Sequence, residues 1–447
     1  MTSDTITSNA IERLDRAMEA GRRDLPLVRI AGAVREVTAT AARVAGISPF
    51  VRLGDRIGFT GGGRVQVGEV VRIDAAGATV KPFESRIEAG IGSLAHRIGP
   101  AQLRPDPRWK GRVVDALGRP VDGLGPLQEG GDSVALDADP PSAMTRARVK
   151  TPLLTGVRAI DLFTPLCAGQ RIGIFAGSGV GKSTLLAMLA GAEGFDSVVV
   201  ALVGERGREV REFLEGPIAA VRDRAVIVVS TGDESPMMRR QAPKVALAVA
   251  ESFRDRGESV LLIVDSVTRY AHAARDVALA AGEPAVARGY PPSVFSDLPR
   301  LLERAGPGAE GKGAITGIFS VLVDGDDHND PVADSIRGTL DGHVVLDRAI
   351  AEQGRYPAID LLGSISRLAG EVWSGDQREL VRKLKTMMAR FEETRDLRLM
   401  GGYRAGSDPD LDQAVTLVPR IYEALRQEPG QPPSRDAFLE LAQSLRG

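Results

Sequence analysis

Residues 171–184 read RIGIFAGSGVGKST, and the fold follows from how this stretch is built. Ile172, Ile174 and Phe175 make a short apolar, β-prone run that stops abruptly at glycine, the pattern of a buried strand. Gly177, Gly179 and Gly181 permit backbone angles closed to other residues, so successive N–H groups can converge on a single anion. Ser178 and Val180 fill the turn between them. The spacing then predicts a helix over 182–190, whose positive end faces the same anion. Lys182 would bridge the β- and γ-phosphates of a nucleotide, and the Ser183 hydroxyl would ligate Mg²⁺. The pattern G-x-x-x-x-G-K-[ST] is met except at its first position, Ala176, where an ordinary strand angle needs no glycine. The stretch is a phosphate cradle, and nucleotide binding is its consequence.

Working outward, the segments SVVVALVGERG (197–207), AVIVVSTG (225–232), SVLLIVDSVTRYA (259–271) and AITGIFSVLVDG (314–325) are apolar strands separated by helical stretches. Such alternation predicts an α/β fold with a parallel sheet covered on both faces. Ser235 as cap and Pro236 at the first helical position start a helix that runs toward Gly257. Residues 111–142 are dense in Gly, Pro and Asp and read as a connector of turns. Upstream, VRIAGAVREV (28–37), GRVQVGEVVRI (63–73), the turn DAAG (74–77) and ATVKPF (78–83) alternate with period two, which predicts a small β-barrel. Residues 7–20 place Ile11, Leu14 and Met18 on one face of a short amphipathic helix, either a surface helix or a partner-binding arm. After about Gln377 the pattern is helical to the end, interrupted by GGYRAGSD (401–408). The expected organisation is an arm (1–22), a barrel (23–99), a nucleotide-binding domain (100–376) and a helical domain (377–447).

The bulk numbers restrict the function further. At 447 residues the chain exceeds a single core, and its net charge of −2 supplies no global basic field for nucleic acid. A lone cysteine, Cys167, forms no internal disulfide and suits a reducing cytoplasm. No apolar run reaches the roughly 20 residues that span a bilayer, so the expectation is a soluble cytoplasmic protein.

The second half of a nucleotide site is an apolar strand ending in a carboxylate that holds Mg²⁺ through water, and the strand SVLLIVD ends in Asp265. Hydrolysis also needs a group to orient water. Glu205, just past the strand VVVALVG, suits that task, although GERGRE reads equally as an exposed charge cluster. Charge on the transferring phosphoryl group calls for an arginine, often one from a neighbouring subunit. Tyr356 in RYPAID and Tyr403 in GGYRAG, both near glycine, are candidates for an adenine-facing aromatic or for packing.

GIFAGSGVGKSTLL, LVGERGREV, LLIVDSVTRYA, PRLLERAG, DGDDHNDPVADSIRGTLDGH, RYPAIDLLGSISR and GGYRAGSDPDLDQAV, in this order, closely resemble the flagellar protein-export ATPases. Those are relatives of the type III secretion ATPases and of the rotary ATP synthase catalytic subunit. The resemblance runs from about residue 28 to the end. It implies a RecA-like P-loop ATPase core with an N-terminal β-barrel and a C-terminal helical domain, assembled as a homohexamer with sites at subunit interfaces. By motif matching it implies that Glu205 activates water, that Arg206 contacts the γ-phosphate, and that Thr184 lies near the α-phosphate. Asp265 falls on the Mg²⁺-associated acid, Arg367 on the finger that enters the neighbour's site, and Tyr356 on the adenine-stacking aromatic. The implied ligands are ATP and Mg²⁺. The implied partners are a stator-like protein at the N-terminal arm, the export gate, chaperones and export substrates at the cytoplasmic face of the inner membrane. The injectisome version of the enzyme is the alternative. A RecA- or Rho-like translocase would want basic loops and stacking aromatics, and a non-catalytic subunit would not need both Glu205 and Arg367.

Overall fold

A computed structural model describes residues 18, 28–61, 64–216, 218–323, 330–428 and 430–446. The amphipathic arm expected at 1–22 lies, apart from Met18, outside the described residues, as does 324–329 of the DGDDHND motif. The chain divides into two compact units after Pro100.

In the first unit six strands close an antiparallel barrel among the described residues, in the order Ala31–Val37, Ala42–Ala45, Gly77–Pro82, Arg64–Asp74, Arg56–Gly61, Leu94–Gly99. Period-two alternation sends Val34, Val44, Ile57, Phe59, Val70 and Val80 inward as one core. Gly68 is required by close approach, since a Cβ there would lie 2.8 Å from the Lys81 carbonyl oxygen.

The second unit is built on a nine-stranded sheet. Its order is Ile359–Ser366, Gly342–Leu346, Arg171–Ala176, Ala314–Leu322, Ser259–Asp265, Ser197–Glu205, Ala225–Thr231, Val113–Asp115, with the short Gly306–Pro307 paired beside Ala314–Leu322. Strands along this order are parallel except Ile359–Ser366, which runs antiparallel at one edge. The near-continuous apolar runs are those of strands covered on both faces. Register carries their ends to one edge: Ala176 pairs with Leu322 and Leu346, and Asp265 with Leu202. Ligands of open parallel sheets bind at that edge.

One difference from the sequence reading lies in 111–142. Val113–Asp115 is the sheet's far edge strand rather than part of a run of turns. The Asp122 carboxylate accepts from Arg112 Nε and Nη2 and from the Val113 N–H, and this local clamp fixes the strand.

The helix Pro236–Asp255 starts as expected, with Ser235 accepting from the Met238 N–H. It holds the following stretch of the connector through an ion pair out of water: Arg304 Nε and Nη2 lie 2.8 and 2.7 Å from the Glu251 carboxylate, and Arg304 Nη1 donates to the Leu136 carbonyl. Removing one member leaves the other charge buried alone, which costs about 3–5 kcal/mol. Arg304→Met is expected to lower the urea midpoint sharply, and the double variant Arg304→Met/Glu251→Met to regain most of that loss.

Toward the C-terminus, a capping box of Ser374 and Gln377 opens Gly375–Glu393, whose Val381, Leu384 and Met388 face inward. Pro409–Ala424 buries Leu411, Ala414, Val418 and Ile421. Val381, Leu384, Met388, Ala414, Val418 and Ile421 share one core with Phe163 and Ile359. The helices therefore belong to the same compact unit as the sheet.

Candidate active site

The cradle strand Arg171–Ala176 turns through Gly179 (φ +77°) and Gly181 (φ +89°) into the helix Lys182–Ala190. Both glycines are left-handed, the conformation in which neighbouring N–H groups point one way. Arg348 Nη2 donates to the Ser178 carbonyl and tethers the tip of the turn. Around it lies a cavity of about 510 Å³ lined by Gly177, Ser178, Gly179, Gly181, Lys182, Ser183, Thr184, Glu205 and Arg206, together with Glu209 and Arg269. Val180 is buried beneath it.

Lys182 Nζ lies 2.5 Å from Asp265 Oδ1, which also accepts from Ser320 Oγ at 2.9 Å. Asp265 is 4% exposed, so its charge is matched by the lysine rather than by water. The cavity-lining Ser183 hydroxyl and the buried Asp265 carboxylate are hard oxygen donors around an anion cradle, and that chemistry fits Mg²⁺ next to phosphate.

Glu205 ends its strand at the cavity's rim. Burial, and after it the nearby Asp265 charge, hold its carboxyl well above the usual carboxylate range against the opposing pull of Lys182. A carboxyl group balanced in this way is suited to proton transfer near neutral pH. Arg206 immediately precedes the helix Gly207–Glu215, its guanidinium exposed and 3.5 Å from Glu209 Oε1.

Tyr356 packs its ring against the cradle from the same chain: a Cβ on Gly181 would sit 3.3 Å from it. Its carbonyl accepts from the Gln427 N–H, which ties that loop to the C-terminal helices. Tyr403 is elsewhere. Its hydroxyl donates to Asp412 at 2.6 Å, and it does not line the cavity.

Arg367 is exposed and also lies away from the cavity of its own chain. Its N–H donates to the Asp341 carbonyl, and the Asp341 carboxylate takes the N–H and Nε of Arg171, the first residue of the cradle strand. Six residues of extended chain separate Arg171 from Gly177, so Arg367 stands about 20 Å from the cradle at the opposite end of the sheet.

Sequence reasoning missed three contributors. Glu209 and Arg269 each stand in the first turn of the helix that follows a named strand-end acid, four residues beyond it. The stem of Arg269 packs beside Gly204. Ser320 carries no signal in the sequence, because only strand register brings it to Asp265.

Residues 156–366 match the model of the nucleotide-binding domain of the ATP synthase alpha/beta family, and 373–443 match that of the T3SS EscN ATPase C-terminal domain. A relative from Agrobacterium fabrum, "Flagellum-specific ATP synthase", is 58% identical over 93% of this chain and 88% of its own. The chain belongs to the flagellar and type III secretion ATPases. This export-type ATPase is accordingly an ATP hydrolase of the ATP synthase alpha/beta family. Its fold matches the assembled ATPase EscN of the enteropathogenic E. coli type III secretion system with a TM-score of 0.86 at 39% identity, covering 93% of this chain and all (100%) of that one. EscN in complex with its central stalk EscO matches at 0.84 and 38% identity, with the same coverage of 93% and 100%.

Proposed function

We propose that the chain hydrolyses Mg·ATP at sites shared between subunits of a homohexameric ring and so drives protein export through a flagellar secretion apparatus. The helix N-terminus and the N–H groups of 177–184 hold the phosphates, Lys182 leaves Asp265 for the β- and γ-phosphates, and Thr184 sits toward the α-phosphate. Ser183 directly, and Asp265 through water, would hold Mg²⁺, which when bound neutralises charge across those phosphates. Glu205 orients the attacking water and takes its proton, and Arg206 contacts the γ-phosphoryl group. Tyr356, against Gly181, offers the face for adenine. Arg367 serves the neighbour's site.

The observation that carries this reading is the split of the machinery. Lys182, Ser183, Glu205 and Asp265 converge on one edge of the sheet while Arg367 stands at the other. A single chain cannot close its own site. Turnover per chain is therefore expected to rise with protein concentration until rings form, measured by a coupled phosphate assay beside mass photometry. A demonstrably monomeric sample as active as the ring overturns the shared site.

The flagellar assignment is supported by 58% and 57% identity to flagellum-specific relatives from Agrobacterium fabrum and Rhizobium meliloti, against 48% to the SPI-2 type 3 secretion system ATPase of Salmonella typhimurium. By analogy with the EscN–EscO complex, a central stalk is a partner of the ring. Export chaperones and substrates, the export gate, a stator-like protein at the N-terminal arm and a position at the cytoplasmic membrane face complete the proposal. A clean deletion that still swims and secretes filament protein removes the flagellar role.

A further inference from the structure

Arg367 is a long side chain exposed on its own chain, so where its guanidinium arrives in a neighbour's site depends on how firmly the backbone beneath it is held. That backbone lies just past Ser366, the last residue of the edge strand Ile359–Ser366. It is tied to Gln170, the residue before the cradle strand, which is 0% exposed. The Cys167 N–H can only donate, and by donating to Gln170 Oε1 at 2.9 Å it fixes which way the amide faces. The Nε2 group is thereby turned the other way, donating to Ser366 Oγ at 3.1 Å and to the Asp341 carbonyl at 3.2 Å. That same carbonyl accepts from the Arg367 N–H at 2.9 Å, and Ser366 Oγ donates to the Pro165 carbonyl at 2.7 Å. The Gln170 backbone is anchored in turn, its carbonyl accepting from the Gly317 N–H of the adjacent strand Ala314–Leu322. One buried amide thus joins Asp341 and Ser366, the two residues that hold Arg367 in place.

We propose that Gln170 is a positioning residue for the arginine that completes the neighbour's site, its amide locking the Arg367 backbone to the start of the cradle strand. The inference rests on the reading of Arg367 as acting in trans. Gln170 does not line the cavity of its own chain, and it works only through Ser366 and Asp341. A group that must meet a transferring phosphoryl loses about a hundredfold in rate when it is misplaced by about 1 Å, so the clamp acts on turnover rather than on nucleotide affinity. The strand Arg171–Ala176 also leads from Gln170 to the chain's own cradle, which makes an effect on that cradle the rival explanation. The two explanations predict opposite outcomes in mixed rings.

The test uses Gln170→Met in the full-length ATPase, a change that keeps length and volume but removes the side-chain hydrogen bonds. It is expected to lower kcat at least about tenfold with KM for ATP within about twofold of wild type. Mixed in equal amounts with Lys182→Ala, it is expected to regain about a quarter of wild-type turnover, because its intact cradle then meets an intact arginine at about a quarter of the interfaces. Mixed with Arg367→Ala, it gains nothing, since both chains then carry a defective arginine side. Ser366→Ala deletes one hydroxyl of the clamp and leaves the contact with Cys167 in place; it shows the same pattern with a several-fold loss and carries the test if Gln170→Met does not form rings. Wild-type kcat in both variants, a loss confined to KM, or a gain with Arg367→Ala instead of Lys182→Ala overturns the clamp. So does a gain in neither mixture while Lys182→Ala mixed with Arg367→Ala regains activity. Failure of that last mixture removes the trans reading of Arg367 itself.

Discussion

Glu205→Gln is expected to bind ATP within about threefold of wild type while its kcat falls at least about a hundredfold, the usual share of a positioned general base. Lys182→Ala is expected to do the reverse at the first step and lose nucleotide affinity. The asymmetry follows from where the two side chains stand. Glu205 is at the rim, where the proposal puts the attacking water, so exchange of its carboxylate for an amide preserves volume and hydrogen bonding but abolishes proton uptake. Lys182 is the cation of the cradle, and its charge-assisted contacts to phosphate are worth about 1.5–3 kcal/mol, or roughly 10- to 100-fold in affinity. Its loss also strands the buried Asp265 carboxylate, which now has Lys182 at 2.5 Å. Glu205→Gln avoids that second penalty. Titration with a fluorescent ATP analogue, beside steady-state turnover, separates the two effects. An equal loss of binding in both variants would refute the assignment of roles.

The cradle could be read from the chain because its chemistry is local. Left-handed glycines, a lysine and a hydroxyl must follow one another within a few residues, and the structure gives Gly179 and Gly181 the φ values that this demands. Asp265 and Glu205 were also legible, since each ends an apolar run and parallel strands deliver such ends to one edge. What stayed hidden depends on register and on tertiary neighbours. Ser320 meets Asp265 only because two strands lie side by side. Val113–Asp115 is obscured by the glycines and prolines around it, because a carboxylate nine residues away from Val113 fixes it as a strand. Tyr356 and Tyr403 look alike in sequence, aromatics near glycine in a loop. The fold separates them, one against Gly181 and the other bonded to Asp412. Arg367 is the clearest case. Nothing in SISR distinguishes it from any exposed arginine, and its proposed role came from resemblance; its place far from its own cradle gives that role a physical reason.

That placement makes complementation the decisive experiment on Arg367. Arg367→Ala alone is expected to cut turnover about a thousandfold, since an arginine supplied in trans to a transferring phosphoryl group is worth that much or more. Lys182→Ala alone is expected to be inactive. In the proposed ring, however, each site takes its cradle from one chain and its arginine from the next. Where an Arg367→Ala chain presents its intact cradle to the intact arginine of a Lys182→Ala chain, the site is whole. Random mixing in equal amounts makes about a quarter of the interfaces complete in a head-to-tail ring. The mixture should therefore exceed the sum of its inactive parts once subunits have exchanged, which labelled chains and mass photometry verify. An arginine working on its own chain's nucleotide predicts no gain at any ratio, because every chain then lacks one half of its site. Mixed rings as inactive as the separate variants, or Arg367→Ala as active as wild type, would place the transition-state charge in other hands.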